Sequence, residues 1–173
     1  MQNLLQWIKR IKEFMFFRLN DKLLIISIVI LTAVARAAIL IIPFRKLKIY
    51  IGELNKESTF AVSQEEYNMA RKIGWAIEKV SNHTPWESKC FVRALTAQYL
   101  LSHKKIESTI YLGVAKEEIL LKKDNTQEIS LDKSSGKNII AHSWIRCGQL
   151  YVTGGNGEGF AIVARFKKGG CIK

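Results

Sequence analysis

A cysteine at position 90 and a histidine at position 142 are the residues of this 173-residue chain whose types could share nucleophilic catalysis. A thiolate attacks electrophilic carbon, and an imidazole can take the thiol proton and later return it to a leaving group. Cys90 directly follows Lys89 and stands near the start of an apolar helical stretch. A helix N-terminus and an adjacent cation both favour the thiolate. The plainer role for such a residue is a small core side chain, because free cysteines are often buried. His142 falls in a strand-like run with Trp144 on the same face. A strand histidine facing a helix N-terminus is one way a hydrolase presents its base; the plainer role is a satisfied core or surface histidine. His83 and His103 sit at helix boundaries in polar contexts and read as solvent-exposed.

A third group normally orients such a histidine and holds its tautomer. A two-residue turn at Cys147-Gly148 would pair Arg146 with Gln149 and set Thr153 opposite His142. Asn156 follows in a glycine-rich turn and can fold back, so it is the favoured third member, with Thr153 and Glu158 as the other candidates. No aspartate stands in this region. An oxyanion would be held by the Cys90 backbone N–H and a second donor, for which the Trp86 indole is the candidate. Zinc bound by Cys90, His142 and Cys147 is disfavoured, because paired close ligand spacings are missing. Gly154–Gly159 precedes strand-like residues instead of a helix, so a tight turn explains its glycines better than a phosphate cradle. The chemistry implied needs no metal and no cofactor.

These residues must be positioned by the elements around them. Residues 2–18 read as a basic amphipathic helix, with Leu4, Leu5, Ile8, Ile11 and Phe14 or Met15 at helical spacing. Asn20 or Asp21 can cap the apolar helix that follows, which Pro43 ends; residues 45–51 continue briefly to Gly52. Residues 53–62 are polar and read as a linker. Ser63-Gln-Glu-Glu66 has capping-box spacing, and the helix it opens carries Ala70, Ile73, Ile77 and Val80 on one face. Thr84-Pro85-Trp86-Glu87 has the same spacing with proline at the first helical position. From there an apolar helix runs to about His103. With Thr84 as cap, Cys90 lies more than one turn inside; with Ser88 as cap, it lies in the first turn. After His103 the period changes to two: Ile106, Ser108, Ile110, Leu112 and Val114 alternate with their neighbours. Residues 116–137 are loop-like, with a short strand at Ile119–Leu121. Ile139–Arg146, Leu150–Thr153 and Phe160–Phe166 complete a set of strands. Helices first and an antiparallel sheet afterwards predict an α+β fold.

Length and composition admit one domain with its own core: 48% of residues are hydrophobic and 24% charged. The net charge is +12, and residues 1–52 hold nine Lys/Arg against two acids. Such a chain suits an anionic partner, but no nucleic-acid recognition motif is present, so nucleic acid is not expected. Three cysteines are too few for a disulfide framework, and no secretory signal opens the chain; a reducing cytoplasm follows. Leu23–Phe44 is apolar, yet Leu23–Ala35 gives only thirteen residues before Arg36, short of the roughly 20 a bilayer needs. A buried helix packed on the main domain is expected over a membrane span. The basic flanks leave room for peripheral contact with an anionic membrane through residues 1–48.

Several segments together resemble one family. Trp86-Glu-Ser-Lys-Cys90-Phe-Val-Arg-Ala-Leu95 resembles its nucleophile motif. Tyr111-Leu-Gly-Val114, Ala141-His-Ser-Trp144, Val152-Thr-Gly-Gly155 and Val163-Ala-Arg-Phe166 follow in the matching order. Ala35-Arg36 and Pro43-Phe-Arg-Lys-Leu47 fit its helical N-terminal part. The family is the lasso-peptide biosynthesis leader peptidase, similar to the C-terminal domain of the microcin-processing protein, within the transglutaminase-like superfamily. The resemblance implies a papain-like core and a Cys-His-Asp triad. Cys90 and His142 carry over; the acid does not, since the region reads Thr-Gly-Gly-Asn. It also implies partners: the precursor with its leader, a separate leader-binding protein, and an ATP-dependent, asparagine-synthetase-like cyclase.

The expectation is therefore an α+β protein with a papain/transglutaminase-like core over residues 53–173, preceded by helices at 1–52 that pack on it. Its expected activity is cysteine-peptidase removal of a leader from a lasso-peptide precursor, carried by Cys90, His142 and Asn156. The rival expectations are a peptide-binding or membrane-associated scaffold, a transglutaminase or acyltransferase on the same fold, and an integral membrane protein through residues 23–44.

Overall fold

The structure, a computed structural model, describes residues 19–116 and 139–169. The expectations for a helix at 2–18, for a strand at Ile119–Leu121 and for Cys171 fall outside those residues. Four helices lie within them: α1 (Leu19–Ile41), α2 (Phe44–Ile51), α3 (Gln64–Ser81) and α4 (Cys90–His103). Five strands complete the fold: β1 (Glu53–Leu54), β2 (Ser108–Lys116), β3 (Ile139–Cys147), β4 (Leu150–Thr153) and β5 (Ala161–Lys168). The strands form one antiparallel sheet in the order β1-β5-β2-β3-β4. This is the α+β architecture expected from helices followed by strands.

Local chemistry accounts for α3. Ser63 Oγ accepts from the Glu66 N–H at 3.2 Å, and a Glu66 carboxylate oxygen accepts from the Ser63 N–H at 2.8 Å. Both halves of the capping box are thus made, satisfying two end donors. Ala70, Ile73, Ile77 and Val80 are buried as their spacing predicts. They join Ala94, Ala97 and Leu101 of α4 and Ile110, Ile145 and Phe166 of the sheet in one core cluster. Ile28 of α1 and Leu47 and Ile51 of α2 belong to the same cluster. Gly74 lets α3 lie close on β4, since a Cβ there would meet the Val152 carbonyl oxygen at 2.4 Å.

Several expectations change. α1 already contains Asn20 and Asp21, so neither caps it; Asp21 instead pairs with Lys72 of α3. Among the described residues, α1 is packed on one face only. Ile28 and Thr32 are fully buried, whereas Leu23, Leu40 and Ile41 are 63%, 69% and 78% exposed. The expected buried helix packed on the main domain is therefore half realised: α3 and α4 can cover only one side of a rod that is apolar all round. By length and composition Asp21–Ile41, with a mean hydropathy of 2.7, is sufficient to cross a membrane.

The β3–β4 turn also shifts. Gly148, at φ +57°, and Gln149 form the turn, and Cys147 pairs with Leu150. An irregularity on β4 then sets Thr153 opposite Ile145, so Thr153 does not face His142. The presumed linker contributes β1, which pairs with β5 through Glu53–Lys167 and Leu54–Phe166. Two exposed residues carry no readable alternation, so the sequence has no signal for that strand.

Candidate active site

Cys90 is the first residue of α4. Lys89 precedes it in extended backbone (φ −66°, ψ 172°), and the first helical bond runs from the Arg93 N–H to the Lys89 carbonyl at 3.1 Å. The Thr84 capping box does not form. Thr84 Oγ1 lies 2.9 Å from Ser88 Oγ, 3.2 Å from the Trp86 carbonyl and 3.3 Å from the Ser81 carbonyl. Those bonds hold residues 82–89 in a non-helical turn, as Ser/Thr side chains do when they compete with helix. Arg93 braces this turn: its Nε donates to the Ser88 carbonyl at 2.8 Å and an Nη to Asn82 Oδ1 at 3.2 Å. The tension over the helix start is resolved in favour of a late one. Cys90, half-buried, then stands where the backbone N–H groups have no intrahelical acceptor and the helix dipole is positive.

The loop before Cys90 is tied to α1. Trp86 Nε1 donates to Thr32 Oγ1 at 3.3 Å, and Arg36 pairs with Glu87 at 3.1 Å, which also meets Lys89 at 3.2 Å. The Trp86 indole spends its one donor on α1. It anchors the loop instead of serving as the expected oxyanion donor. The same contacts explain Arg36, a charge in an apolar helix that answers a carboxylate beside the cysteine.

His142 lies on β3, opposite Gly113 of β2. Its Nε2 is 2.7 Å from the Gly154 carbonyl oxygen. A carbonyl only accepts, so Nε2 carries the proton and, in the neutral ring, Nδ1 keeps the lone pair. The ring stacks on Trp144 at 5.9 Å and packs against Phe160 at 4.9 Å. Trp144 in turn stacks on Tyr111 at 5.6 Å. Glycines make this assembly fit. A Cβ on Gly113 would come 2.8 Å from the Trp144 indole; on Gly157, at φ +69°, it would come 2.3 Å from it. The glycine turn can therefore lie flat on Trp144, which presents the Gly154 carbonyl to His142.

That carbonyl fills the orienting position sought in a side chain. Asn156 is exposed, and its Oδ1 accepts from the Glu158 N–H at 3.1 Å, stabilising its own turn. Thr153 is buried opposite Ile145. Sequence reasoning missed Gly154 because a backbone acceptor has no residue type to read. The only available signal was the run of glycines immediately after a strand.

The relation between Cys90 and His142 is looser than expected. α4 packs on β3, and Ile145 and Cys147 of that strand share the core with Ala94, Ala97 and Leu101 of α4. Strand alternation places His142 with Trp144 and Arg146 on the other face. No hydrogen bond joins Cys90 Sγ to the ring, and among the described residues Nδ1 has no hydrogen-bond partner. A cleft of about 290 Å³ lies between α3 and β4, and neither Cys90 nor His142 is among its lining residues. Its lining includes Glu78, Arg93, one turn along from Cys90, and Gly154, whose carbonyl meets His142. The second thiol is of another kind. Cys147 is buried, and burial pushes its pKa up to about 11, so it stays a protonated core residue. His83 and His103 are exposed, the first bound to the Lys79 carbonyl at 2.7 Å.

Comparison with curated proteins and with solved structures finds no match for this chain. A family model described as transglutaminase-like superfamily matches residues 31–165. The match begins inside α1, crosses the boundary expected at residue 52, and takes in both Cys90 and His142. With well over half of its length covered, the chain belongs to the transglutaminase-like superfamily, which includes cysteine peptidases.

Proposed function

We propose that this protein is a cysteine peptidase that removes the leader from a ribosomally made lasso-peptide precursor. The observation that carries the reading is the position of Cys90, at the first residue of the central helix in a transglutaminase-like chain. Cys90 Sγ attacks the carbonyl joining leader to core peptide while His142 Nδ1 takes its proton. The oxyanion forms beside the unpaired N–H groups of the α4 N-terminus. Collapse breaks the C–N bond; the imidazolium protonates the leaving amine, and the leader stays as a thioester on Cys90. Water activated by His142 then hydrolyses that thioester and regenerates the thiol. The freed amine is the group that an ATP-dependent, asparagine-synthetase-like cyclase would join to a side-chain carboxylate, after a leader-binding protein has delivered the precursor. Proton transfer requires the imidazole to come within hydrogen-bond reach of Cys90 when substrate is seated. Because strand alternation sets His142 on the sheet face away from α4, that approach needs the ring to swing toward Cys90, a larger change than the tightening of a loose hydrogen bond.

The test is mass spectrometry of a precursor incubated with this protein and its leader-binding partner, with Cys90→Ala and His142→Ala alongside. Cleavage at one bond by the wild type alone supports the reading; equal cleavage by Cys90→Ala sinks it. One observation favours a second reading, a peptide-binding scaffold: Cys90 and His142 make no hydrogen bond, and His142 lies on the sheet face away from α4. Retained precursor with no cleavage by any form would select it. Crosslinked or acylated product on adding an amine donor would instead select a transferase on the same fold.

A further inference from the structure

We propose that the outer face of α1, with the α1–α2 corner, seats the protein on an anionic lipid surface, α1 lying in the plane of the interface without crossing it. Leu23, Ile26, Ile30, Val34 and Ile41 recur every three or four residues or a multiple of that, so they share one side of the helix. Their exposures are 63%, 48%, 57%, 57% and 78%. The opposite side holds Ile28 and Thr32, both fully buried against the domain. A stripe of this kind is larger than the scattered apolar residues of an ordinary soluble surface.

Charge names the occupant. From Lys22 to Gly52 there is no acidic residue, and Arg45, Lys46 and Lys48 are exposed just past the end of the stripe. Ile49 and Tyr50 beside them are 74% and 69% exposed. An apolar stripe, aromatic and basic side chains at its rim and no acids between them are the features of a helix that lies at the lipid headgroup boundary.

Three ties decide between lying on the bilayer and crossing it. Asp21 pairs with Lys72, Thr32 accepts from Trp86, and Arg36 pairs with Glu87. They fasten α1 to the domain over about 22 Å at 1.5 Å per residue. Threading α1 through hydrocarbon would drag in α3, whose Arg71, Lys72, Glu78 and Lys79 are exposed.

The test is flotation of the full chain with vesicles of phosphatidylcholine alone or mixed with phosphatidylglycerol, followed by an alkaline carbonate wash. The expected result is roughly tenfold or greater preference for the mixed vesicles, weakened by salt and fully released by carbonate. A Leu23→Gln/Ile30→Gln/Val34→Gln variant should float with neither vesicle. An Arg45→Gln/Lys46→Gln/Lys48→Gln variant, which leaves the packed face untouched, should lose only the anionic preference. Three results overturn the proposal: wild type that floats with neither vesicle; wild type that does not float and dimerises through this face, which makes a second copy the occupant; or carbonate-resistant protein, which makes α1 a span. Peptide cleavage enters none of these readouts, so this proposal and the peptidase reading fail independently.

Discussion

Two polar residues four positions apart on one face of β3 meet opposite fates. Arg146 is 2% exposed, and its donors are committed: Nε to the Tyr111 hydroxyl at 3.0 Å, one Nη to the Gly148 carbonyl at 2.6 Å, the other to the Ser58 carbonyl at 2.9 Å. The Phe60 ring lies 3.8 Å from its guanidinium carbon, and Glu57 completes the shell. His142 is half-buried, with one bond to the Gly154 carbonyl and its other nitrogen open among the described residues. A charge whose partners come from a neighbouring strand, a turn and the segment before α3 holds the fold together. A base oriented at one nitrogen and open at the other is equipped to exchange a proton.

The comparison breaks first at the level of activity. Cys90→Ala and His142→Ala should each lower leader cleavage by about 10³-fold or more while the thermal midpoint moves by only a few degrees, about 4 °C or less. A His142→Ala variant that unfolds instead would make that residue as structural as Arg146. The stability arm is the converse. Arg146→Ala strands three buried acceptors and should cost about 3 kcal/mol in a denaturant titration, with the slope unchanged. An effect below about 0.5 kcal/mol would show that water replaces the guanidinium readily.

Thiol chemistry sharpens the same contrast on α4 and β3. Iodoacetamide near neutral pH should label Cys90 roughly tenfold or more faster than Cys147 by peptide mapping. Cys147, raised to about 11 by burial, should stay unlabelled until the pH climbs toward that value or the protein unfolds. Equal labelling would place the two thiols in equivalent surroundings. Gly157→Ala should cost about 1–2 kcal/mol, from its positive φ and from the approach to Trp144. It should also slow cleavage by displacing the Gly154 carbonyl from His142. Asn156→Ala should be the mildest change, within about threefold in rate, because its side chain stabilises only an exposed turn. A hundredfold loss there would restore Asn156 as the group orienting the histidine.

Local chemistry, read along the chain, was sufficient for most of the scaffold. Ser63 and Glu66 announce a helix start because a capping box closes within four residues. Ala70, Ile73, Ile77 and Val80 announce a buried face because periodicity is itself a geometric statement. Cys90 and His142 stand out by residue type and neighbours alone, and the order of motifs around them points to the superfamily. What depended on tertiary structure was the partner of each polar group. The Thr84 box spacing competes with bonds to Ser81 and Ser88, and the winner is set by how the loop meets α1 through Trp86 and Glu87. The third group at the histidine is a main-chain carbonyl, and only folding decides where a carbonyl points. The side of α1 that stays uncovered is likewise invisible in a run that is apolar all round. Sequence specifies what each residue can do locally, but pairing across 50 or more positions, as between Arg36 and Glu87, exists only once the chain has packed.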